Sequence, residues 1–358
     1  MTADNDDAGE DSVWAMYQDI DEDMNVFYIE DNGKPGGILG AYFNSALPRI
    51  EAFVAAIEAS DDDGFEAVPG QHGEDGVRVL ELGRSFLEFN GFLSAWREGF
   101  VFSEKVELFF AACKRFEMEE EYFRYTHQPS MVAPETALWQ RCNAFLAYIR
   151  EQCRSRPFNR RVSDREKNAN HNFESCKAYV ERLFARYTRL VVIRVDLGYK
   201  TGFGLISDFA KARKDLDKLL NNRRSNKLFK DMVGYIWKLE YGEKKGFHFH
   251  CIFFFNGEHV QKDSYYASII GKYWVDKITN GTGTMYNCNM QKHKYRHCGI
   301  GVVSHSDHEK RENLLRAIRY LTKKEQFLRI KLPGRYRVFG RGEMPPLPFQ
   351  KLGRPRNK

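Results

Sequence analysis

The sequence lacks any apolar run that approaches the ~20 residues needed to cross a bilayer, which argues against a transmembrane role. It also lacks a secretory beginning, because residues 1–7 are acidic where a signal peptide would be basic and then apolar. Its seven cysteines follow no regular framework, so they do not predict a disulfide scaffold. These absences predict a cytoplasmic protein with reduced thiols and no membrane partner.

What the sequence does have is charge of opposite sign in its two halves. Residues 1–150 contain 29 acidic and 11 basic residues, whereas residues 151–358 contain 20 acidic and 44 basic residues. The second half therefore carries the whole basic excess of a chain whose formal net charge is +6. Because each neutralised phosphate releases counterions, a domain this basic favours a polyanionic partner, most simply nucleic acid. An ordinary solvated surface that pairs with the acidic half is the alternative.

Length and composition predict two domains flanked by charged tails. The expected parts are a disordered acidic tail over 1–12, a mainly helical accessory domain over 13–160, a sheet domain over 185–345 and a basic tail over 346–358. The helices expected in the first half are 46–59, 78–97, 104–125 and 134–153. A basic linker at 154–161 then precedes a capping box, Ser163-Asp164-Arg165-Glu166, which predicts a helix that ends near residue 187.

The second half has the order strand, helix, strand, strand, helix, strands, helix. The expected strands are 190–195, 233–241, 247–255, 284–289 and 299–303, and the expected helices are 207–221, 264–278 and 308–328. This order predicts an α+β fold in which helices cover an antiparallel sheet of the ferredoxin-like kind.

The most informative stretch is the histidine-containing strand at residues 247–255. Because side chains alternate across a strand, His248 and His250 point to the same face. The preceding strand contains Glu240, and residues 242–246 have the glycine and charge content of a hairpin loop. A symmetric ladder places Glu240 opposite His248, with Cβ atoms roughly 5 Å apart. The three side chains form a candidate site for a divalent cation; ordinary half-buried strand histidines are the alternative.

The last predicted helix, residues 308–328, carries a tyrosine beside cations. Tyr320 and Lys324 lie four residues apart, on one side of the helix and next to a buried stripe that includes Leu314 and Ile318. At this edge Tyr320 can keep its hydroxyl accessible. A metal-capable cluster together with such a tyrosine describes attack of a phenolate on a phosphodiester. The competing nucleophiles are Tyr235, Tyr241 and Tyr336.

These motifs resemble those of the HUH endonuclease superfamily of single-stranded-DNA nickases, which includes rolling-circle replication initiators, plasmid relaxases and some transposases. More closely, residues 237–242, 246–255 and 336–342 resemble the YagK/YfjJ-type domain of prophage and inovirus-type replication proteins. The likeness spans roughly residues 185–345 and covers no part of the N-terminal half. It implies a ferredoxin/RRM-like HUH nuclease domain there.

The resemblance also implies roles for individual residues. His248 and His250 would bind the metal, Mg²⁺ or Mn²⁺, and Glu240 would be the acidic ligand. Tyr320 would be the nucleophile and Lys324 would assist at the phosphotyrosine. The implied reaction is a nick in one DNA strand at an origin, with a 5′-phosphotyrosyl intermediate and a free 3′-hydroxyl that primes replication. Some initiators use two tyrosines on one helix, whereas this helix has one, so completion of strand transfer needs another nucleophile or a second protomer.

Contacts to nucleic acid are expected from basic and aromatic residues of the sheet domain. Residues 292–297 indicate a loop that grips phosphates and stacks bases. Cys288, His293, His297 and Cys298 supply zinc-ligand types in the same region, but their spacing fits no familiar finger, so zinc is not favoured. The residues predicted to bind nucleic acid are Arg194, Lys292, Lys294, Tyr295, Arg296, Arg316, Lys323, Arg337 and Arg341.

Two other functions stay open from the sequence: a non-catalytic nucleic-acid-binding regulator, and a transposase or relaxase that uses the same chemistry. The acidic helical half is expected to contact protein, for example a host helicase or polymerase. The origin sequence, the physiological metal and the oligomeric state do not follow from these patterns.

Overall fold

The computed structural model describes residues 30–31, 34–35, 42–69, 75–96, 100–118, 138–200, 205–242, 246–323, 328–330 and 337–346. The chain forms two compact units, one of residues 1–166 with 326–331 and one of residues 167–325 with 332–358. The acidic tail expected over 1–12 and the basic tail beyond residue 346 lie outside the described residues. Across the described ranges, no helix is both long and apolar enough to span a membrane.

The helices are α1 Tyr42–Ala59, α2 Glu81–Arg84, α3 Phe89–Leu93, α4 Glu104–Arg115, α5 Leu138–Arg154, α6 Arg156–Arg186, α7 Leu205–Asn222, α8 Asp263–Tyr273 and α9 His308–Lys323. The strands are β1 Glu30–Asp31, β2 Lys34–Pro35, β3 Phe65–Pro69, β4 Asp75–Val79, β5 Phe100–Phe102, β6 Arg189–Tyr199, β7 Met232–Gly242, β8 Gly246–Asn256, β9 Gly283–Asn287, β10 Gly301–Ser304, β11 Leu328–Ile330 and β12 Phe339–Arg341. The expected α+β class is confirmed, with helices and antiparallel strands in one chain.

A cluster of phenylalanine rings forms the core of the first unit. Phe89 is fully buried and contacts Phe86, Phe109 and Phe145, with ring centroids 4.9, 5.2 and 5.6 Å apart. These rings come from α3, α4, α5 and the turn at residues 85–88, so the short helices are held together by one aromatic cluster. Strand β5 pairs with β11, and β3 pairs with β4.

The sequence-based boundaries were wrong in three places in this unit. The helix expected over 104–125 ends at Arg115, and residues 116–118 are not helical. Residues 78–97, expected as one helix, contain the end of β4 and several short helical turns. Residues 154–161, expected as a linker, are helical except for Ser155, whose side chain accepts a hydrogen bond from the backbone N–H of Phe158. Ser155 and Pro157 start α6 in the manner of an N-cap followed by a first-turn proline. The capping box at Ser163 therefore lies inside a helix that is already formed.

An antiparallel sheet lies at the centre of the second unit. The sheet order is β10-β6-β8-β7-β12, and β9 also pairs with β6. The central pairs β6–β8 and β7–β8 run antiparallel over most of their length. One face of this sheet is covered by α6 and α9, where Ile236 and Ile252 share a core with Tyr179 and Ile318. This face carries the candidate site.

The opposite face of the sheet packs against α7, α8 and the helical turn that follows α8. Phe247 contacts Phe209, and Phe249 contacts Trp274, with ring centroids 5.6 and 5.8 Å apart. Both phenylalanines are buried. His248 and His250 alternate with these phenylalanines on β8 and therefore face away from α7 and α8.

A side chain completes the sheet where two short strands meet. β9 pairs with β6 from Val195 onward, and β10 pairs with β6 up to Val192. Between these stretches, Asn289 accepts a hydrogen bond from the backbone N–H of Arg194 at 2.8 Å and donates one to the carbonyl of Val192 at 3.0 Å. Asn289 is 1% exposed. Its amide thus takes the place of a strand backbone at the junction.

The C-terminal end of the second unit differs from the expectation. Helix α9 ends at Lys323 within the described residues, and residues 328–330 form β11 rather than the end of the helix. β12, which was not predicted, pairs with β7 through Gly340 opposite Trp237. A Cβ atom at Gly340 would lie 2.9 Å from the Trp237 ring. The glycine therefore lets the edge strand lie directly against the indole.

Candidate metal centre

The hairpin of β7 and β8 brings the predicted metal ligands together. Glu240 lies opposite His248, as the symmetric ladder predicted, and Lys238 lies opposite His250. The oxygen and nitrogen ligand atoms of Glu240, His248 and His250 all lie within 4.8 Å of one another. By strand alternation these side chains share the face of Ile236 and Ile252, which is the face covered by α6 and α9.

Hydrogen bonds aim both imidazoles at the same carboxylate. The Nδ1 of His248 lies 3.1 Å from the carbonyl oxygen of Gly246, and the Nδ1 of His250 lies 2.8 Å from Oδ1 of Asp196. Because both partners can only accept, each Nδ1 carries the proton. The Nε2 atoms then lie 3.8 and 3.1 Å from Oε2 of Glu240. This is how histidine ligands are oriented in metal sites, with one ring nitrogen held and the other directed inward.

Gly246 has a specific part in this geometry. Its φ of 62° lies in the left-handed region, where glycine is favoured. This conformation starts β8 with the carbonyl that accepts from His248. A residue with a side chain would be strained there, so the glycine at the base of the hairpin supports the orientation of the first histidine.

Asp196 is the site residue that sequence reasoning missed. It lies on β6, directly opposite His250 on β8. Arg194 is two residues away on the same face, with its Nε 4.0 Å from Oδ1 of Asp196. The signal was present, because these two charged residues alternate with apolar ones in a β-branched strand. The missing step was the pairing of β6 with β8, which joins residues 54 positions apart.

The charges around His250 shift the pKa values of the pair. Burial alone would lower the pKa of His250, but the carboxylates of Asp196 and Glu240 outweigh it and raise that pKa above its usual value. Burial would raise the pKa of Asp196, but His250 and Arg194 hold it well below its usual range. Without a metal, a positive imidazole between two carboxylates is therefore the favoured state.

The donor set fits a divalent cation. Two imidazole nitrogens and one carboxylate suit Mn²⁺ and similar transition metals better than Mg²⁺, which prefers oxygen ligands. In the described part of the chain, these three residues form the one cluster of at least three such side chains whose ligand atoms converge. Lys238, 2% exposed, and Arg194, 9% exposed, add positive charge on the same face. The site can hold a cation and has cations of its own beside it, which is suited to a phosphodiester.

The predicted nucleophile lies on the helix that covers this face. Leu314, Ile318 and Leu321 of α9 belong to the core shared with the sheet, as the predicted stripe required. Tyr320 is partly buried, and its hydroxyl oxygen is covered, so the expectation of an accessible hydroxyl was wrong for this conformation. Lys324 lies outside the described residues.

The competing tyrosines can be compared with Tyr320 in part. Tyr235 has the opposite strand parity to Glu240 on β7, and its ring lies under the guanidinium of Arg223 at 5.1 Å. It therefore faces away from the histidines. Tyr336 and the side chain of Tyr241 lie outside the described residues.

The predicted nucleic-acid-binding loop lies between β9 and β10. Lys294 and Arg296 are exposed there, while the Nζ of Lys292 contacts Oδ2 of Asp263 at 2.8 Å. Tyr295 is half-buried, with its ring 6.0 Å from the guanidinium of Arg194, and burial raises its pKa well above the usual range. The loop thus connects surface cations with the interior of the candidate site.

The other predicted nucleic-acid-binding residues are dispersed. Arg194 is buried beside Asp196 rather than exposed. Arg316 is exposed and approaches His297, with Nη1 and Nδ1 3.3 Å apart. Arg337 is exposed, whereas Arg341 donates to the hydroxyl of Ser175 at 3.0 Å. Nothing is described for the side chain of Lys323.

The cysteines and histidines near this loop do not converge in the described chain. Cys288 is buried in the core of the sheet face, and Cys298 lies 3.8 Å from the carbonyl oxygen of Ile300. His293 and His297 are exposed.

Comparison with known proteins identifies one family. A family model described as the YagK/YfjJ C-terminal domain matches residues 154–342, just over half of the chain. The matched range contains the hairpin, β6 with Asp196, the β9–β10 loop and α9. No curated protein and no solved structure matches the chain.

Proposed function

The chain belongs to the YagK/YfjJ C-terminal domain family, and from that premise we propose that it is a metal-dependent nuclease of the HUH type that nicks single-stranded DNA at a replication origin. The observation that carries this proposal is the convergence of two histidine Nε2 atoms on Glu240. The strongly basic second half supports DNA as the substrate.

The strand order supports the finer fold assignment. Taken as a strand–helix–strand–strand–helix–strand unit, β6, β7, β8 and β10 lie in the order β10-β6-β8-β7, with α7 and α8 as the two helices. This antiparallel order is the one expected of a ferredoxin-like sheet, which supports the proposed assignment. β9 and β12 are additions at its edges.

The chain's own residues would divide the chemistry between them. Glu240, His248 and His250 would hold Mn²⁺ or Mg²⁺, which when bound would polarise the scissile phosphate. The Tyr320 oxygen would attack phosphorus as the bond from phosphorus to the 3′-oxygen breaks. The products would be a phosphotyrosine that joins Tyr320 to the 5′ end of the downstream DNA and a free 3′-hydroxyl on the upstream DNA. The phenol proton of Tyr320 would end on that 3′-hydroxyl. Asp196 would keep the Nδ1 proton of His250 in place throughout.

The test is formation of a covalent protein–DNA adduct. The full chain is incubated with labelled single-stranded DNA from a sequence pool and Mn²⁺, and adducts are resolved on denaturing gels. We expect an adduct that is lost with a chelator, lost in Tyr320→Phe and lost when His248 and His250 are both alanine. Tyr265→Phe is the matched control, because Tyr265 is 59% exposed and lies on α8.

The covered hydroxyl of Tyr320 favours one alternative, a nucleic-acid-binding regulator without catalysis. Tight DNA binding without adduct formation in the presence of Mn²⁺ or Mg²⁺ would support the regulator and refute the proposed nuclease activity. An adduct that persists in Tyr320→Phe would retain the nuclease and reassign its nucleophile, which peptide mapping of the crosslink would locate. Replication initiation, rather than transposition or plasmid transfer, would be judged by whether the released 3′-hydroxyl primes synthesis.

A further inference from the structure

A basic pocket lies in the turn between α7 and β7, far along the strand from the metal centre. Its volume is about 330 Å³. Its lining includes Arg223, Arg224, Lys227 and Lys230, with Phe229 as part of its apolar floor. The lining contains no carboxylate. A pocket with four cations within eight residues suits an anion rather than an apolar ligand.

The cations of this pocket are not neutralised by acidic side chains in the described part of the fold. None of the four forms an ion pair with a carboxylate there. The acid next to them in sequence, Asp231, instead has its Oδ1 2.8 Å from Nδ1 of His259. Arg223 lies over the ring of Tyr235 at 5.1 Å, which fixes one guanidinium in the wall. The remaining three are exposed.

The pocket is built on a rigid element. Phe229 is 3% exposed and contacts Phe253 and Tyr273, with ring centroids 6.4 and 5.9 Å apart. Asn226 accepts a hydrogen bond from the backbone N–H of Leu228, which forms the turn. The cations are therefore displayed on a structured turn that is anchored to the sheet core.

The strand geometry sets the distance from the pocket to the metal centre. Met232 lines the pocket and Glu240, a proposed metal ligand, lies on the same strand. Eight residues at the rise of a β-strand separate them by about 25 Å along the strand. The contact of Arg223 with Tyr235 places the pocket on the α7 side of the sheet, so this is the shortest path to the metal centre on the other face. A stacked DNA strand advances 3.4 Å per nucleotide, so this distance corresponds to at least about seven nucleotides.

We propose that this pocket binds the phosphate backbone of the same DNA strand that occupies the metal centre, at least about seven nucleotides from the scissile phosphate. The proposal rests on the proposed function for the position of the scissile phosphate, but its test does not require cleavage. Two linked contacts on one strand raise affinity because the second contact forms at a high effective concentration.

The experiment measures DNA binding by fluorescence anisotropy, with chelator present so that no adduct can form. The variant Arg224→Gln/Lys227→Gln/Lys230→Gln is compared with Lys214→Gln/Lys262→Gln/Lys272→Gln, which removes the same charge from exposed sites elsewhere in the unit. The ligands are single-stranded oligonucleotides of about 20 and about 3 nucleotides; the shorter one reaches only about 10 Å when stacked and is too short to span 25 Å even when unstacked.

We expect the pocket variant to weaken binding of the long oligonucleotide by about 10-fold or more and to reduce the salt dependence of its log affinity by about 2, at ~0.7 per lost phosphate contact. The short oligonucleotide should lose less than about threefold, because it occupies one site at a time. Equal losses in the control variant would show a general charge effect and overturn the proposal. Equal losses for both lengths, no loss at all, or displacement of the DNA by inorganic phosphate at constant ionic strength would also overturn it. The adduct assay with wild-type protein reports separately on the nuclease.

Discussion

The removal of charge from Asp196 is the most direct perturbation of the metal centre that leaves its ligands in place. Asp196→Asn retains an oxygen that can accept from His250 Nδ1, now 2.8 Å from the carboxylate. It removes the negative charge that makes the ring a better donor through Nε2. The loss of such a partner lowers metal affinity by about 10- to 100-fold, or about 1.4–2.7 kcal/mol. Asp196→Ala, which also removes the acceptor, should lose more.

The assay is titration of the full chain with Mn²⁺ at pH 8, followed by calorimetry or by the electron paramagnetic resonance of free Mn²⁺. The matched control is Asp231→Asn. Asp231 forms the same kind of contact, with Nδ1 of His259 at 2.8 Å, outside the site. Thermal unfolding of each variant shows whether the fold is retained. Unchanged Mn²⁺ affinity in a folded Asp196→Asn protein would refute the reasoning, as would an equal loss in Asp231→Asn.

Two further predictions concern protons and the sheet junction. Two carboxylates raise the pKa of His250, so its imidazole must lose a proton before it can bind a metal. The affinity for Mn²⁺ should therefore fall as the pH drops through that raised pKa. An affinity that stays constant in titrations between pH 6 and 8.5 would contradict this. Asn289→Ala leaves the N–H of Arg194 and the carbonyl of Val192 without their partner, and at ~1–3 kcal/mol for each buried group we expect a loss of about 2–6 kcal/mol in the free energy of unfolding by urea. The exposed Asn170→Ala should change it by less than about 0.5 kcal/mol.

The hairpin could be read from the sequence because its signals are local. The alternation around His248 and His250 and the short loop rich in glycine and charge fix the register, since a slip of one residue would move both histidines to the other face. The pairing of Glu240 with His248 followed from that register. The ligand set of the candidate site therefore needed no long-range information.

What the sequence did not reveal depends on contacts between distant segments. Asp196 joins the site because β6 pairs with β8, and that pairing is decided by the packing of both sheet faces rather than by either strand alone. The three-residue strands β5, β11 and β12 are too short for a period-2 pattern to show. The start of α6 was missed because the capping box at Ser163 is a stronger sequence signal for a helix N-terminus than the single serine at position 155, whose side chain caps the helix.

The pairing of β5 with β11 has a consequence for how the first unit is made. Residues 100–102 leave the ribosome well before residues 328–330, with which they form their ladder. At a synthesis rate of ~5–20 residues per second, β11 is synthesised roughly 10–45 s after β5. During that interval the backbone groups of β5 are hydrogen-bonded to water, so the acidic half completes its fold only after residue 330 has been synthesised.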